Sequence, residues 1–149
     1  MTLKTVSLDD KYDLGKSLVF LSGIQALVRL MLMQKARDEA AGLNTGGFVS
    51  GYRGSPLGSV DQEMWKAKKH LDRNNVVFTP GLNEELAATA AWGTQMVSLD
   101  PKAKVDGVFA MRSFCYFSTA STGMCAVFLR RRRRRIRRRH SSCPVQRRP

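Results

Sequence analysis

Apolar residues recur at helical spacing in three stretches of the chain. The first stretch follows Ser22, whose hydroxyl can accept a hydrogen bond from the amide of Gln25 while the Gln25 side chain reaches back. This capping box predicts a helix from about Gly23 to Ala41. Gly42, the residue type favoured just past a helix end, predicts where the helix stops.

Two further helices are expected downstream. Ser59 and Gln62 form a second capping box, which predicts a helix over residues 60–73. Asn83 is a good capping residue, and the two glutamates after it suit the positive end of a helix. A third helix is therefore expected from Asn83 to about residue 97.

Short apolar runs separate these helices and predict strands. The runs are bounded by glycine or rich in β-branched and aromatic residues, and they cover residues 47–51, 76–78 and 106–111. Strands alternating with helices imply parallel β-α-β units, so the fold class is α/β with an open, mostly parallel sheet. After Met111 no capping signal or clean periodicity returns, and regular structure is expected to end there.

The net charge of +13 is concentrated at one end of the chain. Residues 112–149 contain 12 arginines, no lysine and no acidic residue, whereas residues 1–111 hold 13 basic and all 12 acidic residues. An arginine-rich arm could neutralise phosphates and bind nucleic acid non-specifically. Arginine without lysine also fits a shifted reading frame in GC-rich coding DNA, which would make this tail aberrant or disordered. We favour the shifted reading frame, and a genuine nucleic-acid-binding arm is the alternative.

Cysteine and apolar patterns restrict the cellular setting. The three cysteines are odd in number and all lie in residues 112–149, so no disulfide framework is expected. No His or Cys spacing is typical of a metal site, and acidic residues near the start argue against a secretory signal. The uncharged residues 114–129 fall short of the roughly 20 needed to span a membrane. We expect a cytoplasmic protein; a membrane-tethered interaction protein is the weaker alternative.

Two motifs are placed where ligands could bind. Residues 51–58 (Gly-Tyr-Arg-Gly-Ser-Pro-Leu-Gly) connect a predicted strand to a helix start, the edge at which open α/β sheets bind ligands. They lack the spacing of phosphate-binding and dinucleotide-binding loops, and a tight connection needing Gly and Pro is the alternative. The second motif, residues 83–93, contains four alanines, whose small side chains would let another surface pack closely against this helix. The simplest role of the two glutamates in its first turn is to compensate the helix dipole.

At these motifs the sequence resembles a known family. Residues 27–29 (Leu-Val-Arg), 42–58, 61–62 (Asp-Gln), 65–70 and 80–93 run in an order that closely resembles the N-terminus of fused bacterial indolepyruvate ferredoxin oxidoreductases. These are thiamine-diphosphate-dependent 2-oxoacid:acceptor oxidoreductases. The resemblance covers about residues 10–111. It implies that residues 1–111 are the N-terminal part of the pyrimidine-binding domain and that residues 112–149 are a non-family tail.

The resemblance also implies an activity. The intact enzymes, expected as homo-oligomers, oxidatively decarboxylate a 2-oxoacid, here indolepyruvate or another aryl pyruvate. They use thiamine diphosphate with Mg²⁺, pass electrons through iron–sulfur clusters to ferredoxin, and transfer the acyl group to coenzyme A. The parts that bind diphosphate and carry electrons lie in sequence that this chain does not contain. The chain alone is therefore expected to be inactive and to bind no cofactor tightly. A small basic nucleic-acid-binding protein is the alternative function.

The resemblance assigns roles to individual residues. Glu84 aligns with the glutamate that contacts the aminopyrimidine ring and assists its proton exchange, which makes it the catalytic and cofactor-binding candidate. Ser55 matches a hydroxyl at the cofactor and the 2-oxoacid. The remaining candidates are Gly54 and Pro56 at the cofactor, and Tyr52 and Arg53 at the substrate.

Overall fold

The computed structural model describes residues 7–54, 59–118 and 121–132, with the backbone alone for residues 113–118 and 121–132. Helices and strands alternate along the first part of the chain. In chain order the elements are a 3-10 helix (Leu8–Tyr12), α1 (Gly23–Ala40), β1 (Thr45–Gly51), α2 (Ser59–Lys66), α3 (Lys68–Arg73), β2 (Val76–Phe78), α4 (Glu84–Thr94), a second 3-10 helix (Gln95–Leu99), β3 (Gly107–Ser118) and β4 (Ser121–Arg132).

The strands form one sheet in the order β2-β1-β3-β4. The first three strands are parallel, and Gly47 of β1 lies between Val76 of β2 and Phe109 of β3. The predicted α/β class and open parallel sheet are thus confirmed, as a small sheet of three parallel strands. Strand β4 pairs with β3 in the antiparallel direction, with Ala110 opposite Leu129.

Local signals placed the first helix correctly. The Ser22 Oγ accepts from the Gln25 amide at 3.3 Å, and the Ser22 amide donates to the Gln25 side chain at 3.1 Å. Helix α1 ends at Ala40, and Gly42 takes the left-handed conformation with φ of 70°. That conformation is easy for glycine because it has no Cβ.

The second predicted helix is wrong as one continuous element. It divides at Ala67, whose carbonyl accepts from the amides of both His70 and Leu71, at 2.8 and 3.0 Å. The shorter bond tightens the turn at this point, and Ala67 itself is buried in the core. Helix α2 also begins at Ser59 itself, so Ser59 is not the residue preceding the helix as the capping box required.

The third helix is shorter than predicted. Helix α4 ends at Thr94, and the chain continues to Leu99 as a 3-10 helix. The Thr94 hydroxyl donates to the Ala91 carbonyl at 2.7 Å, a local bond of the kind that competes with helical backbone pairing.

We expected regular structure to end at Met111, and this expectation is wrong: β-strands continue to Arg132. Strand β3 continues to Ser118, and β4 supplies partners for its outer edge. Residues 114–129, considered above as a membrane segment, fall mostly in these strands. Within the described ranges, no helix is long and apolar enough to cross a membrane. The rest of the tail, residues 133–149, lies outside the described residues.

Helices cover both faces of the parallel sheet. On one face, a continuous core joins α1, α2 and α3 to the sheet, and Phe109 and Met111 point into it; its other members are Val28, Met31, Leu32, Val49, Val60, Met64, Ala67, Leu71 and Val76. Ala110 points to the opposite face because side chains alternate along a strand. Helix α4 contacts β1 and β3 and buries Ala87 and Ala91.

Candidate functional site

The two motifs singled out in the sequence meet at the carboxyl edge of the sheet. The connection after β1 leads to β2 on one side of β1, and the connection after β2 crosses to β3 on the other side, so the direction of the chain through the sheet reverses next to β1. Open α/β sheets bind ligands at such a switch point. The Gly81 amide, in the connection after β2, donates to the Gly51 carbonyl at 2.9 Å, and Tyr52 pairs with Gly81.

Helix α4 places Glu84 at this edge. Asn83 caps the helix by accepting from the Leu86 amide at 2.8 Å, and Glu84 is its first residue. A Cβ on Gly81 would lie 2.8 Å from the Ala87 Cβ, so glycine lets the incoming connection rest directly on the helix. Glu84 is partly buried, whereas Glu85 is exposed. The first turn of α4, which Glu84 begins, therefore lies near the carboxyl end of β1.

Arg53 turns towards helix α2. Its Nε donates to the Asp61 Oδ2 at 2.7 Å, and the Arg53 side chain is 74% exposed while that of Asp61 is 5% exposed. The second carboxylate oxygen, Asp61 Oδ1, is buried and has no hydrogen-bond partner in the described part of the chain. The structure thus adds Asp61 to the site.

Sequence reasoning missed Asp61 because it interpreted this residue as part of a capping box at a helix start. The available signal was an arginine and an aspartate of opposite charge, eight residues apart across a glycine-rich connection. Spacing along a loop does not predict such a pair, because the path of the loop decides whether the two side chains meet.

A small cavity opens beside this ion pair, between the end of β1, the start of α2 and the end of β2. Its lining is mostly apolar, with the Asp61 carboxylate as its charged group among the residues described; the lining residues are Val49, Ser50, Gly51, Tyr52, Val60, Asp61 and Phe78. No group of three or more His, Cys, Asp or Glu side chains lies close enough to hold a metal ion in the described ranges.

Of the other predicted site residues, the structure describes Tyr52 and Gly54 but not Ser55 and Pro56. Tyr52 lies at the sheet edge, and a Cβ on Gly54 would come within 2.5 Å of its ring. Those ring atoms are the far end of a rotatable side chain, so the contact does not by itself require glycine, and the cofactor role of Gly54 stays a prediction. Ser55 and Pro56 lie outside the described residues. The structure therefore brings Tyr52, Arg53 and Glu84 to one edge of the sheet, with Arg53 paired to α2.

Comparisons of the chain with protein-family models, with curated proteins and with solved structures found no match. The fold and the site by themselves define an α/β protein with a small open parallel sheet and a candidate ligand site at its carboxyl edge.

Proposed function

We propose that the chain is the N-terminal part of a pyrimidine-binding domain from a thiamine-diphosphate-dependent 2-oxoacid oxidoreductase of the indolepyruvate:ferredoxin type. The observation that carries the proposal is the position of Glu84. It is the first residue of a capped helix, at the carboxyl edge where the connections after β1 and β2 meet. Both motifs of the resemblance contribute to that one place.

The residues at this edge suit the aminopyrimidine half of the cofactor. Glu84 supplies a carboxyl group that can exchange a proton with a ring nitrogen, the role of a general acid–base. Its position at the helix start is fixed by the Asn83 cap. When bound, thiamine diphosphate supplies the electron sink for decarboxylation.

The connection after β1 would face the 2-oxoacid. Arg53 offers a guanidinium group, which binds carboxylates through paired hydrogen bonds, and Tyr52 lies next to it. Ser55 would add a hydroxyl in the same connection. In this proposal the diphosphate and its Mg²⁺, the iron–sulfur clusters, coenzyme A and ferredoxin all bind other parts of a cytoplasmic, homo-oligomeric enzyme.

The proposal predicts weak binding of the aminopyrimidine half alone. The probe is 4-amino-5-hydroxymethyl-2-methylpyrimidine, and saturation-transfer NMR with the 149-residue chain measures its contact. Glu84→Gln should weaken the saturation transfer, because a neutral amide replaces the carboxyl group and a charge-assisted hydrogen bond to the ring is lost. Folding should change by less than about 1 kcal/mol, since Gln is nearly as good a helix former as Glu.

Glu85→Gln is the matched control for this measurement. It removes the same charge from the same helical turn but lies about 100° further round the helix, so the saturation transfer should persist. In a chain that continues as the family does after Met111, Glu84→Gln should reduce turnover at least about 100-fold. If neither glutamate matters in either measurement, the helix start is only a cap and the proposal fails.

A further inference from the structure

We propose that the outer face of α4 binds the same face of a second copy of this chain, which gives a dimer through an antiparallel pair of α4 helices. The outer face consists of Leu86, Thr89, Ala90 and Gly93. In the pair, Leu86 of one copy fills the space beside Gly93 of the other. The proposed function assigns no surface to the homo-oligomer, so this inference goes beyond it.

The first observation is that α4 is apolar on its outer side as well as on its inner side. Ala87 and Ala91 are buried on the inner side, whereas Leu86 on the other side of the helix is 51% exposed. The rest of the outer face is also exposed, and its spacing of three and four residues places it on the same side as Leu86. A helix that is apolar all round is typically covered on both sides.

The second observation is a glycine that the packing of the chain itself does not require. A Cβ on Gly93 would meet nothing within 4 Å among the described residues, and the φ of Gly93 is not positive. Glycine is among the poorest helix formers, so alanine at this open position would stabilise α4. What glycine provides here is a gap in the outer face, which a side chain from another molecule can enter.

The polarity of the outer face suits contact with its own copy. The Thr89 hydroxyl donates to the Glu85 carbonyl at 2.9 Å, so it stays hydrogen-bonded when the face is covered. No charged residue occurs from Leu86 to Leu99. Because a two-fold contact brings equivalent residues of the two copies together, a charged face would repel itself, and this one does not. A nucleic acid or an anionic lipid surface would need basic residues, which the face lacks.

The shape of the face identifies the partner as a second copy. Leu86 projects from the helix, and Gly93 leaves a gap seven residues later, about 10.5 Å along the same side. A two-fold axis between Thr89 and Ala90 places each Leu86 opposite the Gly93 of the other copy. The protrusion and the gap then complement each other twice, and the small Ala90 near the axis lets the two helices approach closely.

The size of the face predicts a weak dimer. Helix α4 has 11 residues and is about 16 Å long, and Trp92, which is 65% exposed, extends the apolar surface beside the outer face. One pair of such helices buries less than the roughly 1,200 Å² of a standard interface, so we expect a dissociation constant of about 10–100 µM.

Sedimentation velocity of the full 149-residue chain tests the dimer. The chain should change from monomer to dimer between about 5 and 500 µM, a range that spans the expected dissociation constant. The buffer contains about 1 M salt, in which charges are screened within about 3 Å, so that the arginine-rich end neither repels nor bridges copies.

Gly93→Leu should raise the dissociation constant at least about tenfold, because the added side chain meets Leu86 of the other copy at both ends of the pair. The position is open, so the packing of the chain itself should not change. Gly23→Leu is the matched control. A Cβ at Gly23, in α1, also meets nothing within 4 Å among the described residues, and this variant should dimerise like the unsubstituted chain.

A double variant tests the antiparallel pairing itself. Leu86→Gly combined with Gly93→Leu exchanges the protrusion and the gap, so the two faces again complement each other and the dissociation constant should return to within about threefold of the original. The exchange also keeps one good and one poor helix former in α4, so the helix propensity is unchanged. Circular dichroism checks that each variant is folded.

The proposal is overturned if the chain remains monomeric at the highest concentration, or if Gly93→Leu dimerises as tightly as the unsubstituted chain. A folded double variant that stays monomeric overturns the antiparallel pairing. None of these outcomes affects the test of Glu84, which uses a pyrimidine as its probe. Glu84 lies about 200° round the helix from Leu86, so the two sites are on opposite sides of α4.

Discussion

Two buried aspartates in this protein differ in how many of their carboxylate oxygens have hydrogen-bond partners. Asp38 in α1 accepts from the Thr45 hydroxyl at 2.8 Å and from the Gln34 amide group at 2.9 Å. Lys35 donates to the Thr45 carbonyl at 2.6 Å, so this cluster joins the end of α1 to the start of β1. Asp61, at the other end of the same strand, keeps one oxygen unpaired. Both oxygens of Asp38 thus have partners, whereas Asp61 is paired through Oδ2 alone among the residues described.

Gly47 is required by close packing in the middle of the sheet. A Cβ at this position would lie 2.8 Å from both the Phe109 ring and a Val76 methyl carbon. Both neighbours are buried and have little room to move. We expect Gly47→Ala to reduce the free energy of unfolding by about 1–3 kcal/mol, measured by urea denaturation.

Gly46→Ala is the control for this prediction. A Cβ at Gly46 meets nothing closer than 3.5 Å, an ordinary contact, and its φ is not positive. It should leave stability within about 1 kcal/mol of the original, or raise it slightly by restricting the unfolded chain. If both variants lost the same free energy of unfolding, the glycines of this strand would be required for a reason other than packing.

At the scale of elements, Arg29 of α1 anchors the N-terminal segment. Its guanidinium donates to the backbone carbonyls of Asp10, Lys11, Asp13 and Lys16, at distances of 2.9–3.2 Å. A tyrosine–histidine stack adds a second attachment, with the rings of Tyr12 and His70 4.2 Å apart. Side chains of α1 and α3 therefore hold the described part of the segment before α1.

We expect Arg29→Lys to loosen this segment while the core remains folded. An ammonium group cannot reproduce the planar fork, so most of the four bonds should be lost. Amide hydrogen exchange at Asp10 and Asp13 should accelerate at least about tenfold, because each such bond contributes about 1 kcal/mol or more. Arg37→Lys, at an exposed position in the last turn of the same helix, should change neither rate.

Helix α2 carries an acid-sensitive contact. A hydrogen bond from Lys66 at 2.7 Å, followed by the charge of Lys11, holds the pKa of Glu63 below its ordinary value of 4.5. Between that value and the lowered one, the unfolded chain binds more protons than the folded chain. The contribution of Glu63 to stability is therefore present above pH 4.5 and is lost as the pH falls through the lowered pKa.

Glu63→Gln should reduce this acid sensitivity. The free energy of unfolding of the variant should be lower at pH 6 but should decrease less steeply below pH 4.5. Urea denaturation of both chains across this range measures the two slopes. If the slopes coincide, other carboxylates account for the acid response.

At the scale of the whole molecule, the arginine-rich end dominates the electrostatics. Because residues 112–149 carry 12 arginines and no acid, binding to duplex DNA should weaken steeply between about 50 and 200 mM salt and show no sequence preference. Removing residues 133–149, which contain eight of those arginines, should abolish most of this binding. Fluorescence anisotropy with two unrelated duplexes provides the measurement.

Only one outcome of this measurement bears on the two interpretations of the tail. Binding that persists at high salt with a clear sequence preference would favour the alternative function, a small nucleic-acid-binding protein. Salt-labile binding without preference is what arginines alone produce. Translating the coding DNA in the other two frames after codon 111 tests the shifted frame directly, since a family-like continuation would then appear.

The sequence alone determined the elements whose signals are local. The Ser22 capping box, the left-handed Gly42 and the Asn83 cap each involve residues within a few positions of one another, and each is confirmed. The apolar runs gave three strands, and their alternation with helices gave the parallel sheet, because short right-handed connections allow few other arrangements.

Tertiary structure decided everything that depends on distant partners. The break between α2 and α3 falls at a residue that is buried in the core, and β3 extends where β4 pairs with it. The Arg53–Asp61 contact and the unpaired Asp61 oxygen arise only when the end of β1 packs against α2. Such contacts carry no periodic signal along the chain, because their free energy depends on which side chains the fold brings together.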